Sequence, residues 1–512
     1  NTLHPFFLFF YEFFRLNYND VEVMIHSQGG LGFNTQTMAS QYEVPVGGQN
    51  HVLYGFTPSW IAVDNQGSLS GAHYLYEPES VLSGPISNDY SSTWQNDLRG
   101  FISIDKSVIQ DHIANHNDAG YTIPSEIMNW PGNGNIQENN SDFLAPYVDM
   151  NNNNQYDPEN GDYPIIYGDR MLFTIFNYDS LPQPNLSNNE GVPIEVQMGT
   201  YQFASSTDED INTTTFVYYK VLNKSTDTIH NFQWGHLVDF DIGLSQDDFF
   251  GTDVSRNLIY GYNESTYDPG GNGAPGYGDN PPAAGIISLN HNIHSTNIVN
   301  DASGNYDVNN HNELYNIMNG NNSAGVPNTD DNNDPTNFLY YGNPNDQNSY
   351  SEFQMSNTSG DRRNMLSLSP IDLAPGESEC YHFAIVYKKS APDHIKNIDS
   401  LMSVTDNIQN YFDTKIMPDC TEEPTADINV ESLDQDVTIY PNPTQKHIHI
   451  NSNTFFNEIL IQDITGKTVL SSTLNASTGL NKVDVERLEK GVYFIKLYGD
   501  NNSFYEQKFI KQ

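Results

Sequence analysis

Short apolar runs bounded by Asn, Gly, Asp or Pro recur along most of the chain, which is the pattern of an all-β protein. The runs are rich in β-branched and aromatic residues, which suit a pleated and partly buried surface. We expect a β-sandwich body with long loops rich in Asn and Asp. The clearest runs predict strands over residues 196–204, 214–222, 229–240, 258–262, 284–289 and 381–388.

Helical periodicity is confined to a few segments. Apolar residues at three- and four-residue steps predict helices over residues 103–115 and 394–412. A third, short helix is expected around residues 313–318, inside a stretch from 297 to 349 that is crowded with Asn, Asp, Gly and Ser. That stretch has little apolar surface to bury, so we interpret it as a long excursion from the sandwich. The 394–412 helix is predicted to bury one face, formed by Ile398, Leu401, Val404, Ile408 and Phe412.

Composition divides the chain into five regions. Residues 1–18 form an aromatic segment that lacks the basic n-region and cleavage site of a signal peptide, and they stay unassigned. Residues 19–170 and 171–416 are predicted to be two β-rich regions, each with a calcium-binding loop. Residues 417–436 are acidic and poor in large apolar side chains, as expected of a linker. Residues 437–512 return to alternating strands and turns, which predicts a small Ig-like sandwich of about seven strands.

The charge of the chain is strongly negative and unevenly placed. There are 65 Asp plus Glu against 21 Lys plus Arg, a formal net charge of -44. Residues 437–512 hold 8 basic and 7 acidic residues, so the whole deficit lies before residue 437. Such a field repels polyanions, which argues against nucleic acid and an anionic membrane surface as partners and favours cations. No run of 18 apolar residues occurs, so no transmembrane helix is predicted.

Two cysteines, Cys380 and Cys420, leave a disulfide and two free thiols equally open. A bond would close a loop of about 40 residues and contribute roughly 3–4 kcal/mol in the chain-entropy model. The cysteines alone therefore do not identify the redox compartment.

A first candidate calcium site is the segment DMNNNNQYDPENGDYP at residues 149–164. Oxygen-bearing side chains at alternate positions of a tight loop can wrap around Ca²⁺, which binds six to eight oxygens. The segment departs from the EF-hand pattern, because Asn154 replaces the central Gly and Asn160 replaces the closing Glu. A polar loop held by Asx turns is the alternative. The predicted ligands are Asp149, Asn151, Asn153, Gln155 and Asp157, with Asp162 closing the site.

A second candidate calcium site is the acidic block at residues 239–263. Five aspartates within 15 positions would repel one another unless a cation or solvent screened them. Gly243 and Gly251 permit the sharp turns that such a site needs. A solvated acidic loop is the alternative. The predicted ligands are Asp239, Asp241, Asp247, Asp248 and Asp253.

The C-terminal segment carries several motifs in a fixed order. They are Tyr440-Pro441-Asn442-Pro443, then Asp463 and Gly466, then Gly491-Val492-Tyr493-Phe494, and finally Lys508-Phe509-Ile510-Lys511. The segment resembles the type A C-terminal sorting domain of proteins exported by the type IX secretion system of Bacteroidota. An accessory sandwich would explain the alternation, but not the YPNP opening or the basic end. The resemblance implies translocation across the outer membrane by the type IX machinery, followed by release or attachment to lipopolysaccharide.

The body also resembles a group of large type IX cargo proteins. The shared segments include QYEVP at 41–45, both acidic motifs, GDRR at 360–363 and LAPGE at 373–377. The similarity covers most of residues 20–420, which implies one recurring architecture. It brings no catalytic residue with it.

Catalytic motifs are weak in this sequence. His112 and His116 form HIANH, but Ile113 stands where a zinc protease needs Glu. We therefore expect a secreted or surface-attached, calcium-stabilised structural or adhesive protein that is not an enzyme. A polysaccharide hydrolase stays an alternative, because its two carboxylates need not be close in sequence. A subunit of an extracellular filament or surface layer is another, and glycans or further copies of the chain are predicted partners.

Overall fold

The computed structural model describes residues 13–34, 37–64, 66–73, 81–88, 98, 100–179, 192–205, 208–271, 274–299, 304–416, 437–452, 456–463, 468–473, 479–499 and 504–512. The chain forms two compact units, Asn1–Pro424 and Thr425–Gln512. Antiparallel strands dominate both units, as the all-β prediction requires.

The strands of the first unit are β1 (Phe13–Leu16), β2 (Glu22–His26), β3 (Phe33–Asn34), β4 (Ala39–Ser40), β5 (Tyr42–Glu43), β6 (Leu53–Val63), β7 (Leu69–His73), β8 (Leu82–Ser83), β9 (Ile102–Asp105), β10 (Tyr147–Val148), β11 (Tyr163–Pro164), β12 (Arg170–Asn177), β13 (Ile194–Gln202), β14 (Thr215–Asn223), β15 (Ile229–Phe240), β16 (Asp248–Asp253), β17 (Leu258–Asn263), β18 (Tyr267–Gly271), β19 (Ala274–Asp279), β20 (Ala283–Ser288), β21 (Ile293–Ile298), β22 (Arg362–Leu368), β23 (Ile371–Leu373) and β24 (Ser378–Lys388). The α-helices are α1 (Lys106–Asn115), α2 (Ser125–Met128), α3 (Glu209–Asn212), α4 (His311–Met318) and α5 (Lys396–Tyr411).

Two large sheets pack face to face in this unit. One has the order β16-β17-β20-β24-β14-β13-β12-β8, with β9 also paired to β12. The other has the order β21-β22-β15-β6-β7, with β23 also paired to β15. The ring centroid of Phe56 in the second sheet lies 5.5 Å from that of Phe383 in the first. The ring centroids of Trp234 and Tyr381 are 5.7 Å apart. Aromatic side chains therefore fill the layer between the sheets.

Helices cover the outer faces of both sheets. The predicted apolar face of α5 is buried against β20 and β24 of the nine-stranded sheet, and all nine residues of β13 in the same sheet are also buried. Leu314, Ile317 and Met318 of α4 pack on Ile61 and Leu237 of the six-stranded sheet. The excursion between β21 and β22 is thus anchored to the sandwich by its one helix within the described residues.

Most predicted elements are present with small shifts at their ends. The strand predicted over residues 229–240 has those bounds, and the two longer helices occur as α1 and α5. The prediction of helix over 103–105 is wrong, because these residues belong to β9. Their backbone pairs with residues 170–172 of β12, so α1 begins only at Lys106.

The division of the body at residues 170 and 171 is corrected by the sheet topology. Strand β15 pairs with β6, and β12 pairs with both β8 and β9, so each large sheet takes strands from both predicted regions. Within the unassigned N-terminal segment, Phe13–Leu16 forms β1 on β2. The predicted linker at 417–436 lies outside the described residues. Cys380 on β24 is disulfide-bonded. The other cysteine of the sequence, Cys420, lies outside the described residues.

The second unit is a small sandwich with its own apolar core. Its sheets have the orders β25-β26-β29 and β28-β27-β30-β31. Ile448 and Ile450 of one sheet pack with Ile459, Ile495 and Phe509 of the other, and all five are fully buried. The seven strands in the described part of this unit are β25 (Thr438–Tyr440), β26 (His447–Ser452), β27 (Phe456–Asp463), β28 (Thr468–Thr473), β29 (Gly479–Asp484), β30 (Gly491–Gly499) and β31 (Phe504–Lys511).

Candidate metal centre and C-terminal domain

Three aspartates form a compact group where β15 ends and β22 begins. Asp239 lies directly opposite Arg363 in the β15–β22 ladder. Asp241 follows Asp239 by two residues, and Asp361 precedes Arg363 by two. Because side chains alternate between the faces of a strand, these residues emerge on the same side. One carboxylate oxygen from each of Asp239, Asp241 and Asp361 lies within 4.8 Å of the others, and we call these residues the three-aspartate cluster.

One arginine offsets part of the negative charge of this cluster. Arg363 Nε lies 3.5 Å from Asp239 Oδ2, and Arg363 Nη2 donates to Asp361 Oδ2 at 2.6 Å. Ser40 Oγ donates to Asp241 Oδ2 at 3.2 Å. Burial and then the charge of Asp361 raise the pKa of Asp241 to about 7. The three carboxylates with one guanidinium leave a net charge of about -2 when all are ionised.

The cluster has the chemistry of a site for a hard cation. Two ligands on opposite sides of Ca²⁺, each about 2.4 Å from it, are about 4.8 Å apart, so three oxygens within that span can share one ion. Asp361 Oδ1 is buried and accepts no hydrogen bond from any residue that the structure describes. Burial and then the carboxylates of Asp239 and Asp241 raise the pKa of Tyr54 to about 12. An ion here would therefore relieve a strongly negative local field.

The sequence pattern predicted Asp239 and Asp241 as members of a candidate site but did not include Asp361. Asp361 lies about 120 residues farther along the chain and reaches the cluster only through strand pairing. In the sequence, the one signal for Asp361 is its place in the GDRR segment, which resembles a segment of other type IX cargo proteins.

The other aspartates of the acidic block occupy two separate places. Asp248 begins β16 fully buried, and Asp247 precedes it in a 3₁₀ turn. Asp253 ends β16, where its side chain caps the turn Val254–Arg256 and pairs with Arg256 Nη1 at 2.8 Å. The six-residue strand β16 therefore separates Asp253 from Asp248. The negative charge of Asp253 is offset by Arg256.

The Asn-rich loop joins β10 to β11 and is closed by its two end aspartates. Asp149 accepts hydrogen bonds from the backbone N–H groups of Asn153 at 3.2 Å and Asn154 at 2.7 Å. Asp162 accepts from Met150 N–H at 2.8 Å and Asp157 N–H at 2.9 Å. Both carboxylates are buried. The loop thus folds around carboxylates whose oxygens already accept hydrogen bonds.

Asp157 is the third carboxylate that this loop brings close. The side-chain amides of Asn151, Asn153 and Asn160 all donate to it, at 3.1, 2.8 and 2.9 Å. Burial alone would raise the pKa of Asp157. These hydrogen bonds outweigh that effect, so the pKa is lowered from its ordinary value. The side chain of Gln155 is exposed and donates to the carbonyl oxygen of Asn154. The loop therefore satisfies its acceptors internally and gives weaker support for a cation than the three-aspartate cluster does.

A cleft of about 720 Å³ lies beside this loop. Its walls include Phe101, Met128, Trp130 and Tyr156, which give it a partly aromatic lining. Glu159 is the one carboxylate among the described residues that line it. A glycoside hydrolase needs two carboxylates roughly 5–10 Å apart, so the described wall of this cleft does not supply the catalytic pair.

In the C-terminal domain, the opening YPNP motif holds the last strand. The side chain of Asn442 donates to Lys508 O at 3.1 Å and accepts from Ile510 N–H at 2.8 Å. Thr444 N–H donates to Ile510 O, and Gln512 N–H donates to Thr444 O, both at 2.8 Å. The two ends of the domain, which are about 70 residues apart in sequence, are thereby joined.

The other motif residues divide between the core and the surface of this domain. Tyr493 is buried and stacks on Phe509 at 5.7 Å, and Lys511 is also buried. Val492 and Ile510 are directly opposite each other on β30 and β31, and both are exposed. Tyr440 is exposed as well. The motif therefore encodes both a clamp on the last strand and an apolar surface pair.

Residues 438–512 match the family model described as the secretion system C-terminal sorting domain. The protein is a type IX secretion cargo. It is accordingly exported to the cell surface or the extracellular space, and the secretion machinery is one of its partners. Among the described residues of the cargo protein, no helix is long and apolar enough to cross a membrane.

Other comparisons of the cargo protein are distant. A search of curated proteins finds no match. A polysaccharide lyase is similar at 9% identity and a TM-score of 0.22, over 69% of this chain and only 37% of the lyase. A proposed aldose 1-epimerase of Escherichia coli K12 has 11% identity and a TM-score of 0.26, over 74% of this chain and 99% of that one. At these TM-scores the likenesses carry no functional argument.

One further structure is PorZ, an essential surface component of the type IX secretion system of Porphyromonas gingivalis. It has 9% identity and a TM-score of 0.14, over 98% of this chain and 75% of that one. This likeness also carries no argument about the function of the cargo protein.

We expect Asn442→Ala to loosen the end of the sorting domain. The variant loses two hydrogen bonds to β31, which together contribute roughly 1–3 kcal/mol. Hydrogen exchange of the full-length protein should show faster exchange in residues 504–512 than in the wild type. The matched control is Gln445→Ala, because Gln445 is exposed and lies three residues away. Equal exchange in the two variants would contradict the clamp.

Proposed function

We propose that the cargo protein is a calcium-stabilised structural or adhesive protein of the cell exterior. The observation that carries this proposal is the three-aspartate cluster, in which Asp239, Asp241 and Asp361 converge from segments far apart in sequence. Extracellular modules typically bind Ca²⁺ with dissociation constants of roughly 10⁻⁴–10⁻³ M. Export therefore places the cluster where a weak calcium site suits its surroundings.

In this proposal, Ca²⁺ acts by linking two parts of the body. Asp239 and Asp241 belong to the end of β15, in the middle of the six-stranded sheet. Asp361 ends the long excursion that leaves β21 and returns at β22. A shared ion would hold the return point of the excursion against β15, and it would offset the mutual repulsion of the carboxylates.

The proposed structural or adhesive role rests on the export of the protein to the cell exterior and on the architecture of its body. A large sandwich with long polar loops at the cell surface suits a structural or adhesive task. Lipopolysaccharide, glycans and further copies of the chain stay predicted partners. The aromatic cleft does not favour the hydrolase alternative, because its described wall supplies one carboxylate.

Calcium removal is expected to lower the melting temperature of the full-length protein by several degrees. A ligand at about one hundred times its dissociation constant stabilises the folded state by about 2.7 kcal/mol. For a unit of this size, with an unfolding entropy of about 2.1 cal/mol/K per residue, that energy corresponds to a shift of roughly 3 °C. The measurement is differential scanning calorimetry at pH 7.5, either in EGTA or in about 10 mM calcium, which is about one hundred times a dissociation constant of 10⁻⁴ M.

Two variants make this measurement specific to the cluster. Asp361→Asn removes one ligand charge and should lose most of the calcium-dependent shift. The control is Asp227→Asn, an exposed aspartate beyond the opposite end of β15. It should keep the full shift. A wild-type melt that calcium does not change would refute the proposal.

A further inference from the structure

Beside the three-aspartate cluster, two buried polar side chains face each other across a strand pair. Asp248 begins β16 and is directly opposite Asn263, the last residue of β17. Neither side chain has exposed surface. Residues directly opposite on antiparallel strands have Cβ atoms roughly 4.5–5.5 Å apart, so the two polar groups are neighbours.

Each of the two side chains uses one of its two polar atoms to form a hydrogen bond with the backbone of Ile242. Asp248 Oδ2 accepts from Ile242 N–H at 3.0 Å, and Asn263 Nδ2 donates to Ile242 O at 3.4 Å. Asn263 Nδ2 also donates to Asp247 Oδ1 at 3.0 Å. Because Ile242 O and Asp247 Oδ1 are both acceptors, the amide of Asn263 must turn its nitrogen toward them.

The other half of each group is an oxygen with no donor. Asp248 Oδ1 and Asn263 Oδ1 are buried and accept no hydrogen bond from any residue within the described ranges. Leaving a buried acceptor unsatisfied is unfavourable, and more so for a carboxylate. Two such oxygens on neighbouring side chains therefore point to a proton or a cation between them.

The surrounding charges do not supply that cation from the described side chains. Arg362 is the cation that acts on Asp248, but its guanidinium pairs with the buried Glu352 at 2.7 Å. The largest charge effects on Asp248 come from Asp241, Asp247 and Asp268, all negative. Burial first, and then these carboxylates, hold the pKa of Asp248 well above its usual range.

Asp268 is accounted for by its own hydrogen bonds. Its oxygens accept from the N–H groups of Leu244, Gly270 and Tyr277, so it fixes the β18–β19 hairpin. Asp247 is different, because it is only partly buried and its carboxylate accepts a hydrogen bond from the Asn263 amide. Asp247 therefore lies on the side of the Asp248–Asn263 pair that faces solvent.

We propose that Asp248 Oδ1, Asn263 Oδ1 and the Asp247 carboxylate bind a second divalent cation next to the three-aspartate cluster. Two carboxylates and an amide oxygen form the all-oxygen set that Ca²⁺ prefers. The proposal rests on the proposed function for the identity of the ion. Its location follows independently from the two unsatisfied oxygens. Asp248 begins β16 and Asn263 ends β17, so the ion would fasten these neighbouring strands of the nine-stranded sheet at the point where the chain arrives from β15.

A proton is the competing occupant. Protonated Asp248 could donate its O–H to Asn263 Oδ1 and satisfy both oxygens without a metal. The two occupants differ in the amount of calcium that the protein binds and in the effect of replacing Asp248 by Asn.

Counting bound calcium in the full-length protein tests the inference. Equilibrium dialysis against Ca²⁺ at pH 7.5, followed by metal analysis, gives ions per chain for the wild type, Asp248→Asn, Asp361→Asn and the Asp227→Asn control. Asp248→Asn should bind one ion fewer than the wild type, Asp361→Asn should also bind one fewer, and the control should match the wild type. An unchanged count in Asp248→Asn overturns the second site, and a loss in Asp361→Asn would then still support the first. Unchanged counts in both variants overturn both proposals.

A stability control separates lost binding from lost folding. In EGTA, Asp248→Asn should melt no lower than the wild type, because it removes a buried charge. If that variant does not fold, Asn263→Asp decides the question, since it keeps the oxygen and adds a charge. The proposal expects Asn263→Asp to show a larger calcium-dependent rise in melting temperature than the wild type. A rise no larger than in the wild type overturns the second site.

Discussion

Removing residues 437–512 is expected to leave the truncated protein in the periplasm, with secretion reduced at least tenfold. The removed segment is the sorting domain that the type IX machinery recognises. It has its own apolar core, and the body has separate cores, so the truncation does not cut through a folded unit. Immunoblots of periplasmic, outer-membrane and culture fractions from the native host measure the effect.

Two controls make the truncation result specific. The periplasmic product should resist trypsin as the full-length body does, which shows that the body is folded. Gln445→Ala, an exposed change inside the same domain, should be secreted as the wild type is. Continued secretion of the truncated protein would refute the assignment of the sorting domain.

In calcium-free buffer, the contribution of Asp241 to the stability of the body is expected to fall as the pH rises from 4 to 8. The folded-state pKa of Asp241 is about 7, above its ordinary value of 3.8, because of burial and the nearby Asp361. The folded state therefore binds this proton more tightly than the unfolded state does. The resulting stability is fully present below the ordinary pKa and is lost as the pH rises through the folded pKa. Its size is at most about 4 kcal/mol.

Asp247 and Asp248 act in the same direction, since burial raises both of their pKa values. Carboxylates with lowered pKa values, such as Asp253, have the opposite effect, but only at pH values below their ordinary pKa. Buried histidines such as His73 and His236, whose pKa values are lowered by burial, act in the opposite direction within the same pH range. The effect of Asp241 is therefore measured as the difference between the wild type and Asp241→Asn in thermal melts at pH 5 and pH 8 in metal-free buffer.

Calcium should weaken or reverse this pH dependence, because a bound cation stabilises the ionised carboxylates of the folded state. Relative to Asp241→Asn, the wild type should lose stability between pH 5 and pH 8 in metal-free buffer, since the variant has no proton to lose at this position. Asp227→Asn should follow the wild type. A difference between the wild type and Asp241→Asn that is the same at pH 5 and pH 8 without calcium would contradict the raised pKa of Asp241.

Local patterns made much of the fold predictable. The strands at β13, β14, β15, β17, β20 and β24 are apolar runs bounded by turn residues, and each lies within a few positions of its prediction. The face of α5 followed from the spacing of Ile398 and Leu401 and their successors. The error at 103–105 arose where strand pairing with β12 overrode a helical pattern, because hydrogen bonds to a distant strand leave no local signal.

The candidate site was only half predictable for the same reason. Asp239, Asp241, Asp247 and Asp248 were visible as neighbours in sequence, but their division between two places was not. Asp253 looked equivalent to them and is instead held by Arg256 three residues later. Asp361 and Asn263 become candidates only through antiparallel pairing with β15 and β16.

By itself, the sequence determined the all-β class, the acidity of the body and the export address, because these depend on composition, short-range periodicity and motifs within one segment. Tertiary structure decided that residues 19–170 and 171–416 share two sheets and that Asp361 joins Asp239 and Asp241. It also showed Asp248 and Asn263 facing each other with unsatisfied oxygens. A binding site depends on which distant strands pair and in which register, and that information arises only when the chain buries its cores.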